Sequence, residues 1–290
     1  ASSTITGTAA ALRLIVDDTG VTASDDYNAI ITGSGGSGNV DIVNISAIDG
    51  HNGDGTLTVS AINDSINNII TYNAANSANA TILTNVSGTI TATATGNRDV
   101  GDFSSLGKGV TVNGGEDTDT ITGSAHDDII TGGLGIDSLS AENGGSDTFV
   151  FASGDASTAL VNALNYEKIL SFDQTNDKLD FGVAPVSVGS VGSTVVTIDG
   201  GNSTISTDAN GVVSFGTTSG TLEERGDAVE SIVTDAGDVA FFEFNDGVNG
   251  AGTFIFQENG SGDLLVFLRG VDGIADFSST GGDADTLFIV

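Results

Sequence analysis

A nine-residue repeat in the middle of the sequence constrains the fold of this chain more than any other feature. Three copies start at residues 114, 123 and 132 and follow one another without a gap. They approximate G-G-x-G-x-D-x-U-x, in which U is a large apolar residue, and a fourth, slipped copy ends in a phenylalanine at position 149. Glycine-rich turns that alternate with three-residue strands are expected at this period.

The acids of the repeat are predicted to stack in two files. Two nonapeptides complete one coil, so Asp137 is expected above Asp119, and Asp147 above Asp128. Stacked carboxylates repel one another unless cations lie between them. Ca²⁺ takes about six to eight oxygen ligands, which carboxylates and turn carbonyls supply. The repeat therefore predicts several bound Ca²⁺ ions, and plain turn formation by Asp and Gly is the alternative.

The predicted ligands fall into three groups. The acids expected to bind by their side chains are Asp119, Asp128 and Asp137. Secondary candidates are Asp117, Asp127 and Asp147. The glycines expected to supply turn carbonyls and positive φ angles are Gly114, Gly115, Gly132, Gly133 and Gly135. His126 replaces a glycine of the second copy and is expected on an exposed turn. An oxygen-rich segment at residues 49–55 is interpreted as a solvated turn or a second kind of Ca²⁺ site.

Composition changes near residue 100. All 14 phenylalanines lie at or after Phe103, and nine of the 39 acids fall in the first hundred residues. Residues 1–111 are rich in Thr and Asn, with short alternating runs that favour a parallel β-solenoid or a β-sandwich. Longer strands with phenylalanines are predicted at residues 239–245, 253–257 and 264–269. The chain is therefore predicted to be all-β.

One helix is predicted after residue 220. Thr221 stands three residues before Glu224, which is the spacing of a capping box. Four apolar residues then recur on one face, namely Leu222, Val229, Ile232 and Val233. Gly237 is the predicted stop. This helix is expected to pack on a sheet.

Charge and motifs exclude several classes of protein. Seven basic residues against 39 acidic ones give a net charge of −32, which argues against nucleic acid and anionic membranes as partners. No apolar run approaches the length of a transmembrane segment. With two histidines and no cysteine, the sequence has no zinc-protease, nucleophile-elbow or P-loop motif, so we expect no enzyme. Without methionine, the chain is expected to follow processing or to be part of a longer protein.

The repeat array resembles the RTX (hemolysin-type) calcium-binding β-roll of proteins exported by bacterial type I secretion. Residues 147–151 resemble the strand that closes such rolls. Residues 169–181 resemble the segment that follows the roll in serralysin-type proteins, although Ser171 stands where that family usually has Asp. Residues 253–271 resemble the C-terminal modules of RTX surface-layer proteins, and residues 286–290 a C-terminal secretion signal.

Composition and this resemblance together predict three segments, and the resemblance implies a structural role. They are a solenoid or sandwich at 1–111, an RTX calcium β-roll at 112–152, and at 153–290 a Phe-rich β cap with one short helix and a secretion-signal-like end. The implied protein is a secreted component of a bacterial surface layer (S-layer) that folds and assembles on binding extracellular Ca²⁺. Its implied partners are copies of itself and lipopolysaccharide or the outer cell surface. The alternative is a non-catalytic C-terminal export and folding domain of a secreted hydrolase, toxin or adhesin.

Overall fold

The computed structural model divides the chain into two compact units, Ala1–Phe149 and Val150–Val290. Before residue 103 and after residue 274 it describes the backbones of strands without their side chains, and the same holds for residues 115 and 116. The described residues are 3–5, 12–13, 27–32, 40–45, 57–62, 67–72, 90–95, 100–104, 109–116, 118–141, 144–152, 155, 166–182, 185–245, 247–259, 263–274, 277–278 and 286–289.

The first unit is built from short strands. In chain order they are β1 (Ser3–Ile5), β2 (Leu12–Arg13), β3 (Tyr27–Thr32), β4 (Val40–Ile45), β5 (Leu57–Ile62), β6 (Asn67–Tyr72), β7 (Ile90–Thr95), β8 (Val100–Asp102), β9 (Val110–Glu116), β10 (Thr120–Thr122), β11 (Ile129–Leu134) and β12 (Ser138–Ser140), and β13 (Thr148–Phe151) spans the boundary between the units. Odd-numbered strands from β1 to β11 form one parallel ladder, and even-numbered strands from β2 to β12 form another. Successive strands therefore alternate between two sheets.

The spacing between paired strands is shorter at the repeat array than among the strands before it. Tyr27 pairs with Leu57, an offset of 30 residues. The offset falls to 20 residues where Val100 pairs with Thr120, and to 18 where Thr120 pairs with Ser138. An offset of 18 is twice the length of the sequence repeat, so each nonapeptide supplies one short strand and one turn.

The second unit contains eleven described strands and one described helix. They are β14 (Glu167–Ile169), β15 (Lys178–Phe181), β16 (Val186–Ser187), β17 (Thr194–Ile198), β18 (Gly201–Thr207), β19 (Val213–Phe215), α1 (Leu222–Glu230), β20 (Asp238–Asn245), β21 (Ala251–Gln257), β22 (Leu264–Arg269), β23 (Phe277–Ser278) and β24 (Thr286–Ile289). The strand β14 pairs with β22, and β16 pairs with β20, both in parallel. The strands β20, β21 and β22 form an antiparallel meander, as do β17, β18 and β19. The predicted β-rich fold is confirmed in the described residues.

Aromatic side chains fill the core of the second unit. The Phe254 ring stacks on Phe242 with centroids 5.3 Å apart and contacts Phe267 at 4.7 Å. Tyr166 meets Phe254 edge-on at 5.1 Å. All four side chains are at least 97% buried. Because offset and edge-to-face contacts add to the burial of large apolar surfaces, this cluster contributes strongly to the apolar core of the unit.

The predicted helix start is confirmed, whereas its predicted end is wrong. Glu224 N donates to Thr221 Oγ1 at 3.2 Å, and Thr221 N donates to Glu224 Oε2 at 2.8 Å, so both halves of the capping box form. The helix ends at Glu230, seven residues before Gly237. Ile232 and Val233 are buried in the same core from outside the helix, because a short turn carries them there. Gly237 instead lies at φ +94° just before β20.

Nothing in the described part of the chain is a helix of membrane-spanning length and apolarity. The helix α1 has nine residues and carries acids in its first turn.

Candidate metal centre

Four aspartates of the array hold equivalent positions, each directly before a strand. Asp119, Asp128, Asp137 and Asp147 precede β10, β11, β12 and β13 and are at most 2% exposed. Two residues after each of them lies a buried apolar side chain, which belongs to Ile121, Ile130, Leu139 and Phe149. Side chains alternate along a strand, so the aspartate and the apolar residue point to the same interior side. The repeat therefore buries one carboxylate for every apolar side chain.

These carboxylates connect copies that are stacked in space. Asp119 N donates to Asp137 Oδ1 at 2.7 Å, and Asp128 N donates to Asp147 Oδ1 at 2.8 Å. In the same way Val110 N donates to Asp128 Oδ1 at 2.8 Å. The acids that the sequence predicts to stack are thus brought together in pairs, since one carboxylate oxygen of each upper acid accepts a hydrogen bond from the backbone below it.

The first glycine of each copy makes room for the carboxylate of that copy. A Cβ atom on Gly132 would lie 2.1 Å from Asp137 Oδ2, and one on Gly114 would lie 2.3 Å from Asp119 Oδ2. Neither glycine is among those with positive φ, so the expectation of positive φ at these two positions is wrong. Their function is close approach. Gly133 and Gly135 do have positive φ, of 104° and 142°.

Sequence reasoning missed two residues of the second copy. A Cβ on Gly123 would lie 2.3 Å from Asp128 Oδ2, the same cradle as in the other copies. Ser124 replaces the second glycine, and its N–H and hydroxyl donate to Asp128 at 2.6 and 2.9 Å. The nine-residue spacing from Gly114 and to Gly132 was the signal for Gly123. No sequence signal indicated that a serine could substitute for turn glycine by binding the carboxylate itself.

Among the secondary ligand candidates, Asp127 does not share the buried position of the four aspartates. Asp127 is exposed, and its Oδ1 accepts from Ser146 N at 2.8 Å, so it joins two turns at the surface. His126 is exposed, as expected. Gly115 is described only in its backbone, where it pairs with Gly133. Asp117 and the segment at residues 49–55 lie outside the described residues.

The buried carboxylates of the array have no lysine or arginine near them in the sequence to balance their charge. Desolvation raises the pKa of Asp128 above its ordinary value, and hydrogen bonds from Val110 and Ser124 partly oppose that rise. Residues 112–152 contain eight acids and no lysine or arginine. Burying a carboxylate in this way is costly unless a positive charge compensates it.

The donor set fits a hard cation. The Gly132 carbonyl oxygen would lie 2.6 Å from a Cβ on Gly114, and the His126 carbonyl oxygen 2.7 Å from one on Gly145, so the backbones of stacked turns approach closely at these carbonyls. Among the described residues, no three acidic, His or Cys side chains converge. A cation in the array would take oxygen ligands from the aspartate carboxylates and from turn carbonyls, and oxygen-only coordination is typical of Ca²⁺.

Comparison of the chain with family models, with curated proteins and with solved structures gives no match in any of the three.

Proposed function

We propose that this chain is a structural, non-catalytic component of a bacterial surface layer, exported unfolded and folded outside the cell by several Ca²⁺ ions. In this proposal the alternating parallel ladders of the first unit form a β-solenoid that leads into an RTX β-roll at residues 112–152. The remaining residues, 153–290, form the C-terminal cap.

One observation supports the proposal above all others. Four carboxylates are buried in a segment that contains eight acids and no lysine or arginine. A divalent cation between stacked turns would neutralise two of them at once and join the copies. Asp119, Asp128, Asp137 and Asp147 would hold the ions by their side chains, together with the carbonyls of the turn glycines. Asp127 would assist at the outer side of the turns, and Asp117 is a further candidate ligand.

The binding energy expected of several Ca²⁺ sites is large enough to make folding depend on export from the cell. Extracellular Ca²⁺ modules bind with dissociation constants of about 10⁻⁴–10⁻³ M. At roughly ten times that concentration each site adds about 1.4 kcal/mol to stability, so several sites together rival the net stability of an ordinary domain. Inside the cell, where Ca²⁺ is scarce, unneutralised acids would keep the chain extended. Outside, the same acids would order the array.

Assembly follows from the remaining charge. A chain of net charge −32 repels its own copies, and Ca²⁺ between acidic surfaces would reduce that repulsion. The expected partners are other copies of this chain and the outer cell surface, including lipopolysaccharide. Negative-stain microscopy with and without Ca²⁺ tests this part: ordered sheets or tubes in Ca²⁺ support the surface-layer role. Calcium-dependent folding without sheets would favour the export and folding domain of another secreted protein.

The substitution Asp137→Asn tests the ions directly. Asparagine keeps an oxygen that can accept from Asp119 N but removes the charge. We expect the midpoint of Ca²⁺-induced folding, followed by circular dichroism, to rise several-fold. Without Ca²⁺ the variant should be at least as stable as the unsubstituted chain, because a buried charge has been removed.

Asp272→Asn is the matched control, since Asp272 is exposed in the second unit. Its calcium midpoint should equal that of the unsubstituted chain. A calcium midpoint unchanged in Asp137→Asn would show that this carboxylate serves only as a hydrogen-bond acceptor. The proposal would then lose its main support.

A further inference from the structure

One stretch of the second unit departs from the acidity of the rest of that unit. Residues 182–198 contain no charged residue, although the chain as a whole carries −32. Residues 182–221 contain only two charges, Asp199 and Asp208. This stretch includes the three-stranded meander β17, β18 and β19.

The strand β17 is an edge without the usual protection. Of the outermost strands of the described sheets it is the longest, with five residues; β1, β2, β16, β19 and β23 have two or three. Natural edges are usually shortened or carry Lys, Pro or bulges, because open backbone groups pair with other chains. Every residue of β17 is β-branched, and none is charged. This composition favours strand pairing.

The hairpin geometry shows which backbone groups point outward. Ile198 and Gly201 flank a two-residue turn in which Asp199 and Gly200 both have positive φ, the type I′ arrangement. The flanking pair of such a hairpin exchanges hydrogen bonds, and bonded pairs alternate with non-bonded pairs along the strands. Val195 and Thr197 therefore direct their N–H and C=O groups away from β18.

The other side of the meander is covered, and β17 remains accessible. A bridge between Val212 and Phe241 joins the chain just before β19 to β20. On β17, Val196 packs against the core, whereas Val195 is 66% exposed and Thr197 is also exposed. Within the described part of the chain, no strand pairs with the outer side of β17.

We propose that β17 is where two copies of this chain join, edge to edge and antiparallel, about a two-fold axis at Val196. In that register Val195 of each copy pairs with Thr197 of the other. The outward groups of both residues then form four backbone hydrogen bonds in a closed, self-complementary contact. The proposal names the contact by which the surface-layer component associates with itself, and in that respect it rests on the proposed function.

The absence of charge on β17 favours a second copy of this acidic chain as the partner that pairs with it. Two chains of this acidity approach one another at the lowest electrostatic cost where neither carries acids. The antiparallel register places Asp199 opposite Ser193, whereas a parallel register would place the two Asp199 side chains side by side. A basic partner would be attracted to the acidic surfaces rather than to this neutral strand.

The test compares Thr197→Pro with Thr197→Val in the full 290-residue chain. Proline removes the outward N–H without removing a bond to β18, whereas valine keeps the N–H and the β-branched shape. By sedimentation velocity over a concentration series in Ca²⁺, the unsubstituted chain and Thr197→Val should dimerise alike. Thr197→Pro should raise the dimer Kd at least about tenfold, because the contact loses two hydrogen bonds. An equal Kd for all three chains, or a purely monomeric unsubstituted chain, overturns the proposal.

Amide exchange provides a measurement that needs no variant. In the unsubstituted chain, the amides of Val195 and Thr197 should exchange more slowly in concentrated than in dilute solution; equal rates contradict the edge contact. This result decides the matter if Thr197→Pro does not fold.

Repeating both experiments in EGTA separates the two proposals. Folding that needs no Ca²⁺, with a dimer still broken by Thr197→Pro, supports the edge contact while the calcium trigger fails. Folding that needs Ca²⁺, with a dimer indifferent to Thr197→Pro, overturns the edge contact and leaves the trigger.

Discussion

The repeat array and the phenylalanine core bury their strands in different ways. In the array, β10 and β12 each bury only their middle residue. In the second unit, five consecutive residues of β22, Leu264–Leu268, are buried, and so are six of β21. The strands β21 and β22 are therefore buried on both faces.

The difference shows what each part needs in order to fold. Burial of large apolar side chains contributes about 1.5–3 kcal/mol each, so the aromatic core has a large apolar term of its own. Each nine-residue copy of the array buries one large apolar side chain and one carboxylate beside it. Its stability must therefore depend on how the carboxylates are compensated. The predictions below test this contrast, from the largest expected effect to the smallest.

Removal of Ca²⁺ should separate the two regions most clearly. In EGTA we expect amide exchange across residues 110–149 to accelerate by orders of magnitude, because the buried acids would lose the proposed cations. Exchange in β20, β21 and β22 should change little. Hydrogen–deuterium exchange read by mass spectrometry measures both regions in one sample. Unchanged protection of the array would contradict a calcium requirement.

Phe254→Ala should act on the second unit alone. Removing this ring, which contacts Phe242, Phe267 and Tyr166, should lower the free energy of unfolding by about 3–5 kcal/mol. Urea titration followed by near-ultraviolet circular dichroism measures the loss. Val248→Ala is the control, since Val248 is 78% exposed and its truncation should cost less than about 0.5 kcal/mol. A calcium midpoint that moved with Phe254→Ala would show that the two regions are coupled.

Two glycine-to-alanine substitutions should have opposite signs. In Gly132→Ala the new methyl group would meet Asp137 Oδ2, so we expect a loss of about 1–3 kcal/mol and a raised calcium midpoint. In Gly226→Ala, inside α1, no atom outside the helix backbone lies within 4 Å of the new methyl group. Alanine is the better helix former, so stability should rise by about 0.4–1 kcal/mol. Thermal unfolding in Ca²⁺ compares the two variants, and destabilisation of equal size would refute the proposed role of Gly132.

The smallest expected effect concerns a buried acid outside the array. Burial raises the pKa of Asp155 above its ordinary value of 3.8, and a hydrogen bond from Ala152 N partly opposes the rise. The folded state thus holds this proton more tightly than the unfolded state, so the contribution of Asp155 to stability increases as pH falls through the raised pKa.

Asp155→Asn should therefore raise the melting temperature of the second unit at neutral pH by a few degrees. The gain should vanish in acid, once the carboxyl group of the unsubstituted chain is protonated. Calorimetry at several pH values measures the difference between the two chains, and a difference independent of pH would contradict the assignment.

The elements with local signals were predictable from the sequence. The strands β20, β21 and β22 lie within two residues of their predicted bounds, because apolar runs between turn residues mark them. The start of α1 was predictable because a capping box involves only residues 221–224. Its end was not, because Ile232 and Val233 continue the apolar pattern while the chain has already left the helix.

The candidate site divides in the same way. The positions of Asp119, Asp128 and Asp137 follow from the period of nine. The role of the first glycines does not, because it depends on where the carboxylate of the same copy folds back, and that is visible only in three dimensions. The same reason explains Ser124, whose two hydrogen bonds to Asp128 compensate for the missing glycine.

The sequence by itself determined the repeat, its acids, the β-rich class and the capped helix, because each depends on residues within about ten positions of one another. Only the tertiary structure decided which backbone N–H donates to each carboxylate, and that β17 is an edge strand with no strand paired to its outer side in the described residues. These depend on strands paired 18 or more residues apart and on how a meander meets its neighbours. Local periodicity carries no information on either, because the same short strand is compatible with many partners.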